Sequence, residues 1–289
     1  MNYHYPVLLS EVIDFFQPQK DQVFIDATLG NGGHTLELLK HGSIVWGIDT
    51  NQQNLETATQ RISESNLSTK FHPLLSNFNQ LENISSQINQ PINGILFDLG
   101  LSTNQILNYN LGFSFKDDLL DMRLNPNTSL TAQEIVNTYD QSQLVELFSY
   151  YSQELLSVQI AKDIIHQRQQ KPITSASRLA EIIKNTYQNN HRRSEIHPAT
   201  KVFMALRIEV NQEYQNLKQA LISTLKLQPL TKIAIITFHS GEDRIVKNFI
   251  NQSKVKNLLI KPIKPSFSEI KINPPSRSAI LRGYEIIES

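Results

Sequence analysis

Residues 23–50, VFIDATLGNGGHTLELLKHGSIVWGIDT, decide the fold. They open with Val23, Phe24 and Ile25, a short apolar run of the kind that makes a buried strand, closed by Asp26. Gly30, Gly32 and Gly33 then fill a tight turn, where the lack of a Cβ lets the backbone bend sharply and a ligand come close. Leu36, Leu38 and Leu39 follow at helix-compatible spacing, and a second apolar run, Ile44 to Ile48, ends in Asp49. The start of the helix offers unpaired N–H groups. Asp49 lies 19 residues after Gly30 and, as a pure acceptor, suits the hydroxyls of a ribose. Strand, glycine turn, helix and acid-tipped strand together describe a nucleoside-cofactor site at the carboxyl end of a parallel sheet.

The glycine spacing narrows the cofactor. A dinucleotide fold wants G-x-G-x-x-G. Here the order is Gly30-x-Gly32-Gly33, with Asp26 four residues before the first glycine, which is similar to the D-x-x-x-G-x-G pattern of S-adenosylmethionine methyltransferases. From this stretch alone, a nicotinamide cofactor or a plain structural turn stays open.

Working outward, 289 residues allow one large or two modest domains. There is no cysteine, so disulfides, thiol nucleophiles and cysteine zinc sites are excluded, and the scattered histidines give no metal-ligand spacing. The first residues, MNYHYPVLLSEVIDFF, carry Glu11 and Asp14 within their apolar part and do not read as a signal peptide. No apolar run is long enough to span a bilayer. A cytoplasmic protein is the expectation. Net charge is zero, but residues 1–105 hold 4 basic against 10 acidic residues and residues 206–289 hold 13 against 7. Such asymmetry marks either a surface for a polyanion or solvated lysines.

Along the chain, Leu8, Leu9, Val12, Ile13 and Phe16 stripe a leading helix. Asn51 caps the helix after Asp49, with Leu55, Ala58 and Ile62 on one face. Residues 71–75 make a short third strand broken by Pro73, followed by a loop carrying Phe78, which sits either against an adenine ring or in ordinary packing. Residues 94–100 form the clearest strand, with Asp98 at its end, where doubly wound sheets put chemistry. Beyond it the β-α rhythm stops. A helical insertion is predicted over 108–196, with a capping box at Thr131 and Glu134. Arg192 and Arg193 near its end read either as phosphate contacts or as a solvated loop. Sheet architecture resumes over 197–289. Phe203, Leu206, Val210, Leu217, Leu221 and Leu225 predict one long helix beginning near Pro198. Residues 232–238 predict a core strand running into the polar cluster from His239 to Arg244, and two short strands, 258–263 and 279–286, close the chain. The predicted class is therefore α/β, a class I methyltransferase (Rossmann-like) sheet in two parts, 1–107 and 197–289, with an inserted all-helical domain that would recognise substrate.

The ordered motifs HYPVLL (4–9), DATLGNGGHT (26–35), DLGLS (98–102), GFSF (112–115), LDMRL (120–124), HPATKVFMALRIEVN (197–211), TFHSGEDRIVK (237–247) and NPPSRSAILR (273–282) cover nearly the whole chain. By them the chain resembles the bacterial 16S rRNA (cytosine-N4) methyltransferase H family, also called MraW. The resemblance implies methyl transfer from S-adenosylmethionine to the exocyclic amine of a cytidine in the decoding centre. It implies cofactor contacts from Gly32, Gly33, His34, Asp49, Phe78, Asp98 and Gln105, and 16S rRNA within the small subunit as partner; a homodimer is compatible with it. Where the family has Gly-Pro, this chain has a segment around Leu119; where it has Leu before Glu-Asp-Arg, this chain has Gly241; and Pro229-Leu230-Thr231 replaces a Gly-Gly turn.

For the chemistry, the Asp/Asn-Pro-Pro-aromatic motif of many amino methyltransferases is absent after Asp98, and Asn273-Pro274-Pro275-Ser276 reads as a turn. Asp98 and His239 are the candidates for handling the target base. Phe113 or Phe115 could stack on it, and Arg123, His197, Arg207 and Arg277 are weaker RNA candidates. A nicotinamide-dependent dehydrogenase and a non-catalytic rRNA-binding factor are the competing classes.

Overall fold

The computed structural model describes residues 5–100 and 110–288. The chain forms two compact units, residues 1–100 with 214–289, and residues 101–213.

In the first unit, α1 (Leu9–Phe16) leads into β1 (Val23–Asp26), α2 (Gly33–Lys40), β2 (Ile44–Asp49), α3 (Gln52–Glu64), β3 (Phe71–Leu75), α4 (Leu81–Ser86) and β4 (Ile92–Asp98). The second unit holds α5 (Ala132–Thr138), α6 (Gln141–Ser152), α7 (Ser157–Gln170), α8 (Ala176–Asn189) and α9 (Thr200–Val210). The chain then gives α10 (Glu213–Thr224), β5 (Lys232–Thr237), α11 (Ser240–Gln252), β6 (Val255–Asn257), α12 (Phe267–Ile272) and β7 (Ile280–Ile286).

The seven strands lie in the order β3-β2-β1-β4-β5-β7-β6. All pairings are parallel except those of β7, which runs antiparallel to both β5 and β6. This is the class I methyltransferase sheet. The central strands are apolar on both faces because both faces are covered. Val23, Ile25, Ile95, Phe97, Ile233 and Ile235 pack with Leu81 and Ile84 of α4, Leu217 and Leu221 of α10, and Val246 of α11. The alternate residues Phe24, Leu96, Ala234 and Ile236 pack with Val12 and Phe16 of α1, Leu38 and Leu39 of α2, and Ala58 and Ile62 of α3. Pro73 is tolerated because β3 is an edge strand. Asn51 caps α3 by accepting from the amides of Gln53 and Asn54.

The helical unit has its own core, centred on Ile135, Leu144, Phe148, Ile160, Ile164, Leu179, Ile183 and Leu206. Thr131 and Glu134 form the expected capping box on α5, and Asp140 with Gln143 forms a second on α6.

Three features differ from the sequence reading. The long helix is two, α9 and α10, because Gln212 takes a left-handed φ of 51°. Asn211 is drawn into the loop of 122–124, its amide nitrogen donating to the Met122 carbonyl and its oxygen accepting from the Leu124 amide. Ala199, Val202, Phe203, Leu206 and Val210 therefore belong to the helical core, and the compact units divide after residues 100 and 213 rather than after 107 and 196. Finally, the penultimate strand is Val255–Asn257, and the predicted 258–263 keeps only a bridge from Ile263 to Leu281.

Candidate active site

The strand order reverses between β1 and β4, where a doubly wound sheet opens a crevice at its carboxyl ends. Three strands deliver an aspartate there: Asp26 from β1, Asp49 from β2 and Asp98 from β4. Asp26 is buried and holds the turn together, accepting from Thr35 Oγ1 at 2.7 Å and from the Thr28 amide at 3.3 Å. Gly30 and Gly32 adopt φ of 50° and 70°, conformations costly to any residue with a Cβ. A Cβ on Gly33 would come within 2.9 Å of Pro6, so the start of α2 packs directly on the N-terminal arm.

Asp49 fixes the same turn from the next strand. Its Oδ2 accepts from the Gly30 amide at 2.9 Å and from Asn54 Nδ2 at 3.1 Å, and its Oδ1 accepts from the Asn51 amide at 2.8 Å. The Thr50 amide bears on it as well, so most of the roughly four acceptor positions of the carboxylate are engaged by the turn, and a ligand hydroxyl would share one of them. Burial raises Asp49 above the usual carboxylate range, and its amide partners oppose that shift.

Asp98 is the least satisfied of the three. Its amide donates to Thr28 Oγ1 at 2.6 Å, while its carboxyl oxygen Oδ1 is buried without a partner among the described residues. The side chain keeps 21% of its surface exposed. Burial, then the negative charge of Asp26, then that of Glu242, push its pKa up to about 7 against an opposing bond from the Gly100 amide. Burial likewise lifts Asp26 to about 6, aided by the charge of Asp49. His34 lies beside Asp98, with Nδ1 3.7 Å from Oδ2. Its Nε2 is 2.9 Å from the Val7 carbonyl, which assigns the ring proton to Nε2. Burial lowers His34 to about 4, so the ring is neutral near pH 7 and presents the Nδ1 lone pair toward Asp98.

The other sequence candidates separate. Phe78 is half-buried at the carboxyl edge, with its ring edge-on to Phe97 at 5.9 Å. His239 is the N-cap of α11, its Nδ1 accepting from the Glu242 amide at 3.4 Å. Its Nε2 lies 3.0 Å from Glu242 Oε1 without a well-aligned hydrogen bond. Glu242 is not singled out by the sequence, yet it is buried, accepts from the Phe238 amide at 2.8 Å and bears electrostatically on Asp98. Its signal was its position three residues past the helix cap. Gly241 departs from the family pattern for a local reason: a Cβ there would collide with the Tyr214 hydroxyl. Gln105 lies outside the described residues.

In the helical unit, Phe115 stacks on His197 at 4.1 Å and meets Phe203 edge-on, so it packs within that unit, as Phe113 also does. A depression of about 350 Å³ beside it is lined by Phe115, His197, Lys116 and Lys184. Arg123 is held by both oxygens of Asp121 and by the Pro126 and Thr128 carbonyls, and Arg207 is held by both oxygens of Glu213. These two arginines brace their own unit. Arg277 is exposed within a short 3-10 helix, Pro274–Ser278, that stands where the sequence reading expected a turn at Asn273 to Ser276. Among the described residues no helix is long and apolar enough to cross a membrane.

The chain is 38% identical to the ribosomal RNA small subunit methyltransferase H of Carboxydothermus hydrogenoformans, over 98% of this chain and 97% of that protein. It is 40% identical to the protein of that name from Persephonella marina, over 96% and 97%. Among solved structures, a putative rRNA-methylase from Clostridium thermocellum aligns over 99% of this chain and 100% of its own, at 14% identity and a TM-score of 0.48. A model of the MraW methylase family matches residues 1–287, and the chain belongs to that family.

Proposed function

We propose that the protein is an S-adenosylmethionine-dependent methyltransferase of small-subunit ribosomal RNA, acting on the exocyclic N4 amine of a cytidine in the decoding centre. The observation that carries the reading is the trio of strand-end carboxylates around a glycine turn, in a chain of the MraW family. The Asp98 oxygen, unpartnered among the described residues, and the Asp49 carboxylate at the glycine turn fit a cationic, ribose-bearing ligand. In this reading Gly32, Gly33 and His34 line it through the first turn of α2, Asp49 holds the ribose, Phe78 flanks the base, and Gln105 joins them. S-adenosylmethionine supplies an electrophilic methyl group on a sulfonium.

The protein's task is then to make a poor nucleophile attack. The cytosine amine has its lone pair delocalised into the ring, so it must be held in line and its N–H groups must be accepted. Asp98 Oδ1 is a buried acceptor in want of a donor. With its pKa near 7, Asp98 can accept an amine N–H in the ground state and carry off the proton that the nitrogen sheds. Neutral His34, anchored to Val7, lies beside that carboxyl and adds no positive charge that would lower the Asp98 pKa. His239 positions Glu242, whose charge keeps Asp98 basic. The helical unit is assigned to rRNA recognition, and the setting to the cytoplasm.

The test is transfer of tritiated methyl to small subunits from a strain lacking the enzyme, followed by nucleoside mass spectrometry. N4-methylated cytidine is the expected product; label on carbon, or none with the purified protein, refutes the reading. His239→Ala should lower the single-turnover rate more than it lowers cofactor affinity.

A further inference from the structure

Residues 251–272 follow the outer edge of the sheet, where β6 is the last strand and Ile263 bridges to Leu281. Not one of these side chains is buried. Ile260, Phe267 and Ile272 are 86%, 85% and 73% exposed, among the most exposed large apolar side chains of the described residues. Five exposed lysines stand among them, Lys254, Lys256, Lys261, Lys264 and Lys271, against one acid, Glu269. Lys256 pairs with Glu285; no ion pair engages the other four among the described residues.

The segment is nevertheless held in place. Glu269 Oε1 accepts from the Leu8 amide at 2.8 Å, the Ser266 hydroxyl caps α12, and Asn273 Nδ2 donates to the Tyr5 carbonyl at 3.1 Å. Polar groups thus fix a helix that buries none of its side chains and presents Phe267 and Ile272 to solvent. Its anchor borders the active site: Leu8 follows Val7, whose carbonyl takes the ring proton of His34 beside Asp98.

We propose that this edge is a contact surface for a single-stranded stretch of the RNA substrate, with the four lysines on phosphates and Phe267 against a base. It rests on the rRNA reading above. Charge decides the occupant. A second copy docked face to face by a two-fold axis would set the lysine cluster against itself, whereas a polyanion neutralises it. An exposed aromatic between lysines is also what sequence-tolerant single-strand binding uses.

The test uses the full-length protein, Phe267→Ala, and the quadruple variant Lys254→Gln, Lys261→Gln, Lys264→Gln and Lys271→Gln. Binding of a short, unstructured, labelled RNA is followed by anisotropy across a salt series. The quadruple variant should flatten the slope of log affinity against log salt by about 3, at roughly 0.7 per phosphate contact. Phe267→Ala should weaken binding about tenfold at every salt concentration without changing the slope. Both should raise KM for small subunits while kcat and calorimetric S-adenosylmethionine affinity hold. Wild-type RNA affinity, slope and KM in both variants, with methyl transfer intact, overturn the surface and leave the proposed function standing. Segment-dependent RNA binding by a wild-type protein that transfers no methyl does the reverse. Unchanged RNA binding with a dimer lost on sedimentation assigns the face to a second copy and overturns the proposal.

Discussion

The carboxylates of the two units live under opposite conditions. In the sheet unit, Asp26, Asp49 and Asp98 end neighbouring strands and are all pushed upward by burial. In the helical unit, burial of Asp121 is outweighed by its bonds to Arg123, and Asp140 is held down by the Ser142 hydroxyl and the Gln143 amide. Glu209 accepts from the hydroxyls of Tyr139 and Tyr151, and Glu154 accepts from Tyr187 and the Leu156 amide. The helical unit satisfies these acids; the strand ends crowd theirs together and, among the described residues, leave Asp98 Oδ1 unpartnered. Saturated acceptors serve stability, while a crowded acceptor with a shifted pKa is poised for chemistry.

The largest expected contrast sets Asp49 against Glu209. Asp49→Ala removes the acceptor for the ribose and also frees the amides of Gly30 and Asn51, which shape the turn. Calorimetry should show S-adenosylmethionine affinity falling about a hundredfold, on the scale of one charged hydrogen bond. Glu209→Ala should leave that affinity within about twofold but lower urea-measured stability by about 3 kcal/mol, because two half-buried tyrosine hydroxyls lose their acceptor. If the effects cross, with binding lost in the helical variant alone, the division of labour is wrong.

The next contrast is in pH. A carboxylate whose pKa is raised in the folded state holds its proton more tightly there than in the unfolded chain. Stability is therefore fullest below the unfolded pKa and falls as pH rises toward the folded value. For Asp98 that window runs from the ordinary 3.8 to about 7. The whole shift would correspond to about 4 kcal/mol. With 21% of the side chain exposed to screening solvent, about half is expected to carry through. Asp98→Asn should therefore gain about 2 kcal/mol over wild type by pH 8 in urea unfolding and nothing near pH 4. Because a cationic ligand favours the ionised carboxyl, cofactor affinity should also tighten about tenfold between pH 6 and pH 8 in wild type and stay flat in the variant. A flat wild-type profile would remove Asp98 from the cationic end of the ligand.

The sequence made the carboxylate trio legible because each acid closes an apolar run, and a run buried on both faces has few other readings. The glycine turn was legible for the same reason, since the chain reverses in few residues. Glu242 was not, because its burial depends on how α11 meets the sheet, and its residue type looks like any helix-start acid. The break at Gln212 was hidden for a different reason. The apolar stripe runs through it unbroken, and what stops the helix is Asn211 reaching residues 122 and 124, 89 and 87 positions away. Arg123 and Arg207 read as RNA contacts only until their acids, two and six residues on either side in sequence, proved to be bonded to them in both oxygens. Local pattern reports strands and turns; it does not report which polar group a distant segment will claim.

The smallest expected effect is the sharpest check on the helical unit. Tyr187 shares its hydroxyl between both oxygens of Glu154 at 2.8 Å, and burial together with that acid pushes its own pKa upward. The phenol therefore stays protonated in folded and unfolded chains throughout the neutral range. Tyr187→Phe deletes one donor and leaves Glu154 bonded to the Leu156 amide, so the loss should be about 1 kcal/mol. Unlike the Asp98 difference, this one should not vary between pH 6 and pH 8, since the phenol keeps its proton throughout. A Tyr187→Phe penalty that changed across that range would mean that more than one neutral donor is lost, and the helical unit would then share the crowded chemistry assigned to the sheet.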